Sequence, residues 1–170
     1  MGNLVGHDYI EATRKYLDYL EEHLDNIEKA HEEVMEACMD MFFVTDMLAW
    51  WELMGEISHH DESKFSAEEF TQYRAKFFPV AWDDKDKTKA GFGSAWEHHK
   101  RENPHHHETA KTDLDIVHMV IDWTAMSYKF GDTPWDFYES KKADMDLSDA
   151  QHTLIMDIFS RLKAHRGVQS

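Results

Sequence analysis

From Ile116 to Met126 the chain reads Ile-Val-His-Met-Val-Ile-Asp-Trp-Thr-Ala-Met, a run that is apolar nearly all the way round a helix and contains one carboxylate, Asp122. A helix without a polar face must be surrounded by other elements, so this segment is expected at the centre of the fold. It also forces a question about Asp122. A carboxylate taken out of water costs several kcal/mol, on the order of one lost ion's hydration, unless it is paired, hydrogen-bonded or bound to a metal. A salt bridge to Lys or Arg would satisfy it, and so would ligation. His118, one turn earlier on the same face, favours ligation, as a second ligand or as a partner behind the first.

The rest of the chain supplies the surroundings. Tyr16, Leu20, Leu24, Ile27 and Val34 recur at helical spacing between Tyr9 and Val34. Thr45-Asp46 would cap a second apolar helix through Trp50, Trp51, Leu53, Met54 and Ile57, ending in the polar stretch Ser58 to Lys64. Ser66-Ala67-Glu68-Glu69 reads as a capping box for a short helix to about Phe77, stopped before Pro79. Asp83 to Lys89 reads as a charged surface loop, followed by a helix over Ala95 to Arg101 that ends before Asn103-Pro104. Asp113 or Thr112 caps the helix that carries Asp122, and Gly131 closes it after Phe130. Asp132-Thr133-Pro134 opens another short helix, with Pro in its first turn. Ser148-Asp149-Ala150-Gln151 is a second capping box, before Leu154, Ile155, Ile158, Phe159 and Leu162. With only 7 Gly and 3 Pro, and no convincing strand, the expectation is one all-α domain over residues 1–170, of six to eight helices.

Charge narrows the partners. The formal net charge of −16 repels a nucleic-acid polymer, and no basic patch offsets it. A small phosphate ester is not excluded, because a bound divalent cation reverses the field it meets. Cys38 is the one cysteine, so neither an intrachain disulfide nor a thiolate metal cluster is available, and a buried thiol in a reducing compartment is expected. Met1-Gly2-Asn3-Leu4 lacks a signal peptide's basic and apolar regions, and Gly6 stands where a myristoylation signal needs Ser or Thr. No apolar run approaches the roughly 18 residues of a membrane span, so a cytoplasmic protein without a membrane partner is expected.

Histidine is the anomaly. The chain has 13, and eight lie between His59 and His118, in the clusters His59-His60-Asp61, His98-His99 and His105-His106-His107. Any one of them is most simply a solvated side chain, but together, inside patterned helices, they form a ligand set. Imidazole and carboxylate without thiolate suit Mn, Fe, Co, Ni or Zn. His23 and His31 both continue the apolar stripe of the first helix, and spacing alone does not choose between them.

An early His, then His-Asp at a helix end, then a distant Asp in an apolar helix resembles the ordered pattern of the HD superfamily: here His23, His60-Asp61 and Asp122. The sequence is also similar to small phage and bacterial HD-like proteins of undetermined function. That similarity is carried by His23 to Ile27, His60 to Ser66, Ala95 to His99, Asn103 to His106 and Ile121 to Trp123, within about residues 16 to 140. It implies an HD-type helical fold and selects His23 over His31. It also implies that His23, His60, Asp61 and Asp122 hold a first metal. Asp61 would bridge to a second metal on His98, His99 and His106. Lys64, three residues after the Asp, stands where HD phosphodiesterases meet the substrate phosphate. The Gly-Tyr-Pro loop of those enzymes is replaced by Asn103-Pro104-His105-His106, which points away from a cyclic dinucleotide.

The resemblance implies a metal-dependent phosphohydrolase using one or two divalent transition metals per chain to direct water at the phosphorus of a nucleotide or related ester. Glu62 is a candidate for orienting that water, and Trp96, Trp123 and Trp135 are candidates for stacking a base, although aromatics at helical spacing serve a core equally well. Two other readings stay open at the level of sequence: an HD-type di-iron oxygenase, and a non-enzymatic, metal-stabilised interaction protein. Lys64 beside His60-Asp61 favours hydrolysis over both.

Overall fold

Polar side chains cap the starts of four helices in the computed structural model, which describes residues 5–42 and 47–168. The elements are α1 (Val5–Ala37), α2 (Met39–Phe42), α3 (Met47–Ser58), α4 (Phe70–Phe77), α5 (Lys85–Glu102), α6 (Asp113–Phe130), α7 (Pro134–Lys141) and α8 (Asp149–His165). Short 3-10 turns cover Glu62–Phe65 and Lys142–Asp144, and no strand occurs among the described residues. The protein is all-α. No described helix is long and apolar enough to cross a membrane. The expected cap Thr45-Asp46 and the segment Met1 to Leu4 lie outside the described residues.

Local chemistry fixes the ends. Thr112 and Asp115 form a reciprocal capping box at the start of α6, and Ser148 and Gln151 do the same for α8. Thr133 caps α7 with Pro134 in its first turn. Gly131 takes φ 73° after Phe130, the left-handed conformation that lets α6 stop there. The expected loop from Asp83 to Lys89 is corrected: α5 already starts at Lys85, capped by the Asp84 side chain, which accepts from the amides of Asp86 and Lys87. Those first turns are largely exposed and carry no apolar stripe, so periodicity gave no signal for them. Just before, Asp83 is pinned by the buried Arg74 guanidinium at 2.8 Å and accepts from the Val80 amide.

The chain divides into two compact units, Met1–Glu22 with Asp61–Asn103, and His23–His60 with Pro104–Ser170. The first is built on Tyr16, Leu20, Tyr73 and Ala95, with Phe70, Phe78, Phe92 and Trp96 packed around them, and α4 lies against α5. The second is larger. There α6 packs against α3, α7 and α8, burying Ile116, Val117, Met119, Val120, Ile121 and Ala125 against Ile27, Val34, Leu53, Ile155, Ile158, Phe159 and Leu162. The near-uniform apolar surface of α6 is thereby used on several sides. Cys38 lies in this core, where burial pushes its thiol pKa up to about 12. Trp123 and Trp135 pack against the same core and Trp96 against the smaller one.

Candidate functional site

In the second unit, α1, α3, α6 and the segment after Pro104 bring four imidazoles and one carboxylate together. His23, His60, His105 and His118 are all buried. His60 is the hub. Its Nε2 lies 3.0 Å from His23 Nε2, and its Nδ1 lies 2.8 Å from His118 Nε2. Asp122 Oδ1 is 3.5 Å from His23 Nε2 and 3.8 Å from His60 Nε2. His105 stacks on His60 at 4.6 Å between ring centroids, tilted 25°, and is 4.2 Å from the His118 ring.

The distances among His23, His60 and Asp122 suit a shared ion. With metal–ligand bonds of about 2.0–2.2 Å, neighbouring ligand atoms around a tetrahedral or octahedral ion stand about 2.8–3.6 Å apart. The three separations, 3.0, 3.5 and 3.8 Å, fall within or just above that range. His60, His105 and His118 make a second group whose ligand atoms also lie within 4.8 Å of one another.

His118 has a further partner, since its Nδ1 is 3.5 Å from Glu56 Oε2. Burial pulls the His118 pKa down, outweighing Glu56 and leaving a neutral ring. In the tautomer that turns His118 Nδ1–H towards Glu56, its Nε2 accepts from His60 Nδ1–H. That arrangement frees the His60 Nε2 lone pair on the side of His23 and Asp122, as a ligating histidine with an oriented outer nitrogen requires. His31 belongs to neither group. It is half-buried, and burial lowers its pKa too. Of the His105-His106-His107 run, His105 stacks on the cluster. His106 lies one ring further out, 4.6 Å from His105, and His107 is 3.4 Å from Glu108.

The first unit holds a different set. Asp61 has φ 56°, the one left-handed non-glycine backbone among the described residues. Its carboxylate accepts a short hydrogen bond from the buried Lys64 ammonium and lies 3.2 Å from His99 Nε2. Glu69, fully buried, accepts from His98 Nδ1 at 2.7 Å and from His99 Nδ1 at 2.9 Å. Burial alone would lower the His99 pKa, but the hydrogen bonds to Asp61 and Glu69 outweigh it and hold the pKa raised. Glu69 shows the mirror effect: burial raises its pKa, and the bonds from His99, His98 and Ser63 bring it below the ordinary value. His99 thus sits between two carboxylates that favour its protonated form, and any metal taking one of its nitrogens competes with a proton. Asn103 donates to Ser63 Oγ at 2.7 Å and to the His99 carbonyl at 2.8 Å, and the Trp96 ring stacks on His99 at 5.6 Å.

Glu69 and Glu56 were missed by sequence reasoning. The pattern Ser66 to Glu69 reads as a capping box, yet only half of it forms: the Glu69 amide donates to Ser66 Oγ at 3.3 Å, while the Glu69 side chain turns to the two histidines. Glu56 carried no signal beyond standing four residues before His60, which lies in the turn that follows α3.

Over residues 12–161 the chain matches the model of a protein family described as a family of unknown function (DUF5662). Neither the curated proteins nor the solved structures give a match.

Proposed function

Starting from a chain that belongs to this family of unknown function (DUF5662), we propose from its own side chains that it is a metal-dependent phosphohydrolase acting on a small cytoplasmic phosphate ester, above all a nucleotide. One observation carries the reading. Two buried imidazole nitrogens 3.0 Å apart share a carboxylate oxygen at ligand-to-ligand spacing, with the outer nitrogen of one ring tied back through His118 towards Glu56.

Under this reading His23, His60 and Asp122 hold a divalent transition metal. When bound there, such an ion supplies a Lewis acid for a phosphoryl oxygen and lowers the pKa of a water to near neutrality. His118 and Glu56 fix the tautomer and ring orientation of His60. Asp61 and Lys64 enter through the sequence pattern, Asp61 following a ligand directly and Lys64 standing three residues on. Lys64 is the group that the sequence pattern assigns to the substrate phosphate, and its buried ammonium donates to Asp61. A net charge of −16 argues for small esters over nucleic-acid polymers.

The test is release of phosphate or nucleoside from a panel of nucleotides with Mn, Fe, Co, Ni or Zn supplied, with plasmid nicking scored in parallel. Turnover of at least one mononucleotide without nicking is expected. Silence on the panel combined with iron-dependent oxygen uptake would replace hydrolysis with oxygenase chemistry, and silence in every assay would leave a metal-stabilised interaction protein.

A further inference from the structure

Glu69 is 0% exposed at the start of α4, and its two oxygens go to two adjacent rings. His98 and His99 are consecutive on α5, which packs against α4. Each turns its Nδ1 to one oxygen of the carboxylate, at 2.7 and 2.9 Å. These residues, with Asp61, all lie in the first unit. An ion pair buried this deeply adds little net stability, because lost hydration offsets most of the attraction, and apolar side chains of similar volume commonly hold a core as well. Holding the fold together therefore does not account for a carboxylate at position 69.

The chemistry of the contact fixes more than a distance. An ionised carboxylate only accepts, so Nδ1 carries the hydrogen in both rings, and Nε2 is the nitrogen that either ring can turn to a metal. For His99 the ring is held by its neighbours as well. Trp96 stacks on it at 5.6 Å with the planes 23° apart, and the Tyr73 ring lies 5.6 Å away. Held in this way, His99 Nε2 stands 3.2 Å from Asp61 Oδ1. That separation falls within the spacing of about 2.8–3.6 Å that two ligand atoms on one ion adopt. A carboxylate on the outer nitrogen is a common means of orienting a ligating imidazole and raising its basicity.

We propose that Glu69 is a positioning residue for a transition-metal ion held by His99 Nε2 and Asp61, with His98 turned the same way by the other oxygen of the carboxylate. The inference rests on the metal-dependent phosphohydrolase reading for the use of such an ion, and deepens it with a residue outside the ligands that the resemblance implies. The ligands of this ion differ from those of the ion on His23, His60 and Asp122. As it binds, the Nε2 proton of His99 leaves to solvent and the Nδ1 proton stays on Glu69.

The experiment titrates the full-length chain, labelled with 15N-histidine, with Zn2+. Long-range 1H–15N correlation spectra read which nitrogen of each ring carries a proton and which one responds to the ion. In wild type, Nδ1 of His98 and His99 should stay protonated while His99 Nε2 moves to a metal-bound position. A merely structural Glu69 gives the same Nδ1 signals and an unmoved Nε2. Elemental analysis and competition with a chelator then compare wild type with Glu69→Gln, whose amide oxygen is its one acceptor. The ion at His99 should bind about 10–100-fold more weakly in the variant, with the ion on His23, His60 and Asp122 unchanged. A variant that fails to fold leaves the wild-type spectra to decide. Zn2+ that leaves His99 Nε2 unmoved, or takes Nδ1 instead, overturns the inference, as does wild-type affinity for both ions in Glu69→Gln. The two proposals fail separately. Nucleotide turnover with no ion at His99 sinks the role of Glu69 and keeps the phosphohydrolase. Glu69-dependent binding at His99 without turnover of any ester keeps the role and sinks the activity.

Discussion

Asp61 carries two constraints at one position. Its left-handed backbone, φ 56°, is a conformation that Asp and Asn tolerate far better than most residues, at about 1–2 kcal/mol for an ordinary side chain. Its carboxylate meanwhile holds Lys64 and faces His99. Asp61→Asn separates the two, keeping the backbone preference and removing the charge. We expect it to abolish ester hydrolysis with a loss of stability smaller than that of Asp61→Ala, as read by phosphate release and denaturant melts. Lys64→Ala should lower turnover while metal content, read by elemental analysis, stays at the wild-type level. His118 supplies the matching prediction in the second unit. His118→Ala removes the group that orients His60, which should weaken metal affinity about 10–100-fold without removing any of the three proposed ligands. A competition titration against a chelator reads that change, and an unaltered affinity would make His118 a packing residue only.

At the scale of elements, caps were the most legible feature. Thr112, Thr133, Ser148 and Gly131 are short polar or flexible residues beside apolar runs, and each bounds a helix where its chemistry places it. The start of α5 was illegible because Lys85 to Lys89 alternates charge without an apolar stripe, and a single Asp cap sets that end. Glu69 was illegible for a different reason: a local pattern offered it one partner, and tertiary structure gave it His98 and His99 instead. Thr112→Ala should destabilise the chain by about 1 kcal/mol through the first turn of α6, with Thr112→Gly milder. Glu33 ties α1 to α8 and α6, accepting from Arg166 Nε at 2.7 Å and from the Tyr128 hydroxyl at 2.5 Å. The Arg166 bond is the main cause of its lowered pKa, and the Tyr128 bond adds to it. A lowered carboxylate pKa adds stability above the ordinary value of 4.5, and that contribution drains away as pH falls through the folded value. Glu33→Gln should therefore cost about 1–2 kcal/mol at pH 7, solvent screening included, and the gap to wild type should narrow below about pH 4.5 in chemical denaturation.

For the molecule as a whole, fold class was readable because so little in the sequence opposes helix, and the centrality of α6 because its surface has no polar side to turn outward. The candidate site was readable as a set of residue types and only partly as a geometry. Nothing in the spacing of His23 and His31 separates them, yet His23 is buried against His60 whereas His31 joins neither group of candidate ligands. Likewise, which member of His105-His106-His107 turns inward is decided by tertiary packing, and His105 is the one stacked on His60. A metal bound by residues of the native fold stabilises it by mass action, so the metal-loaded protein should melt higher than the chelated one. The most direct measurement is elemental analysis of tag-free protein after incubation with Mn, Fe, Co, Ni and Zn, for wild type, His23→Ala and His31→Ala. The account predicts at least one transition-metal ion per chain in wild type and His31→Ala, and a large loss in His23→Ala. A wild type that remains metal-free, or a loss confined to His31→Ala, would contradict it.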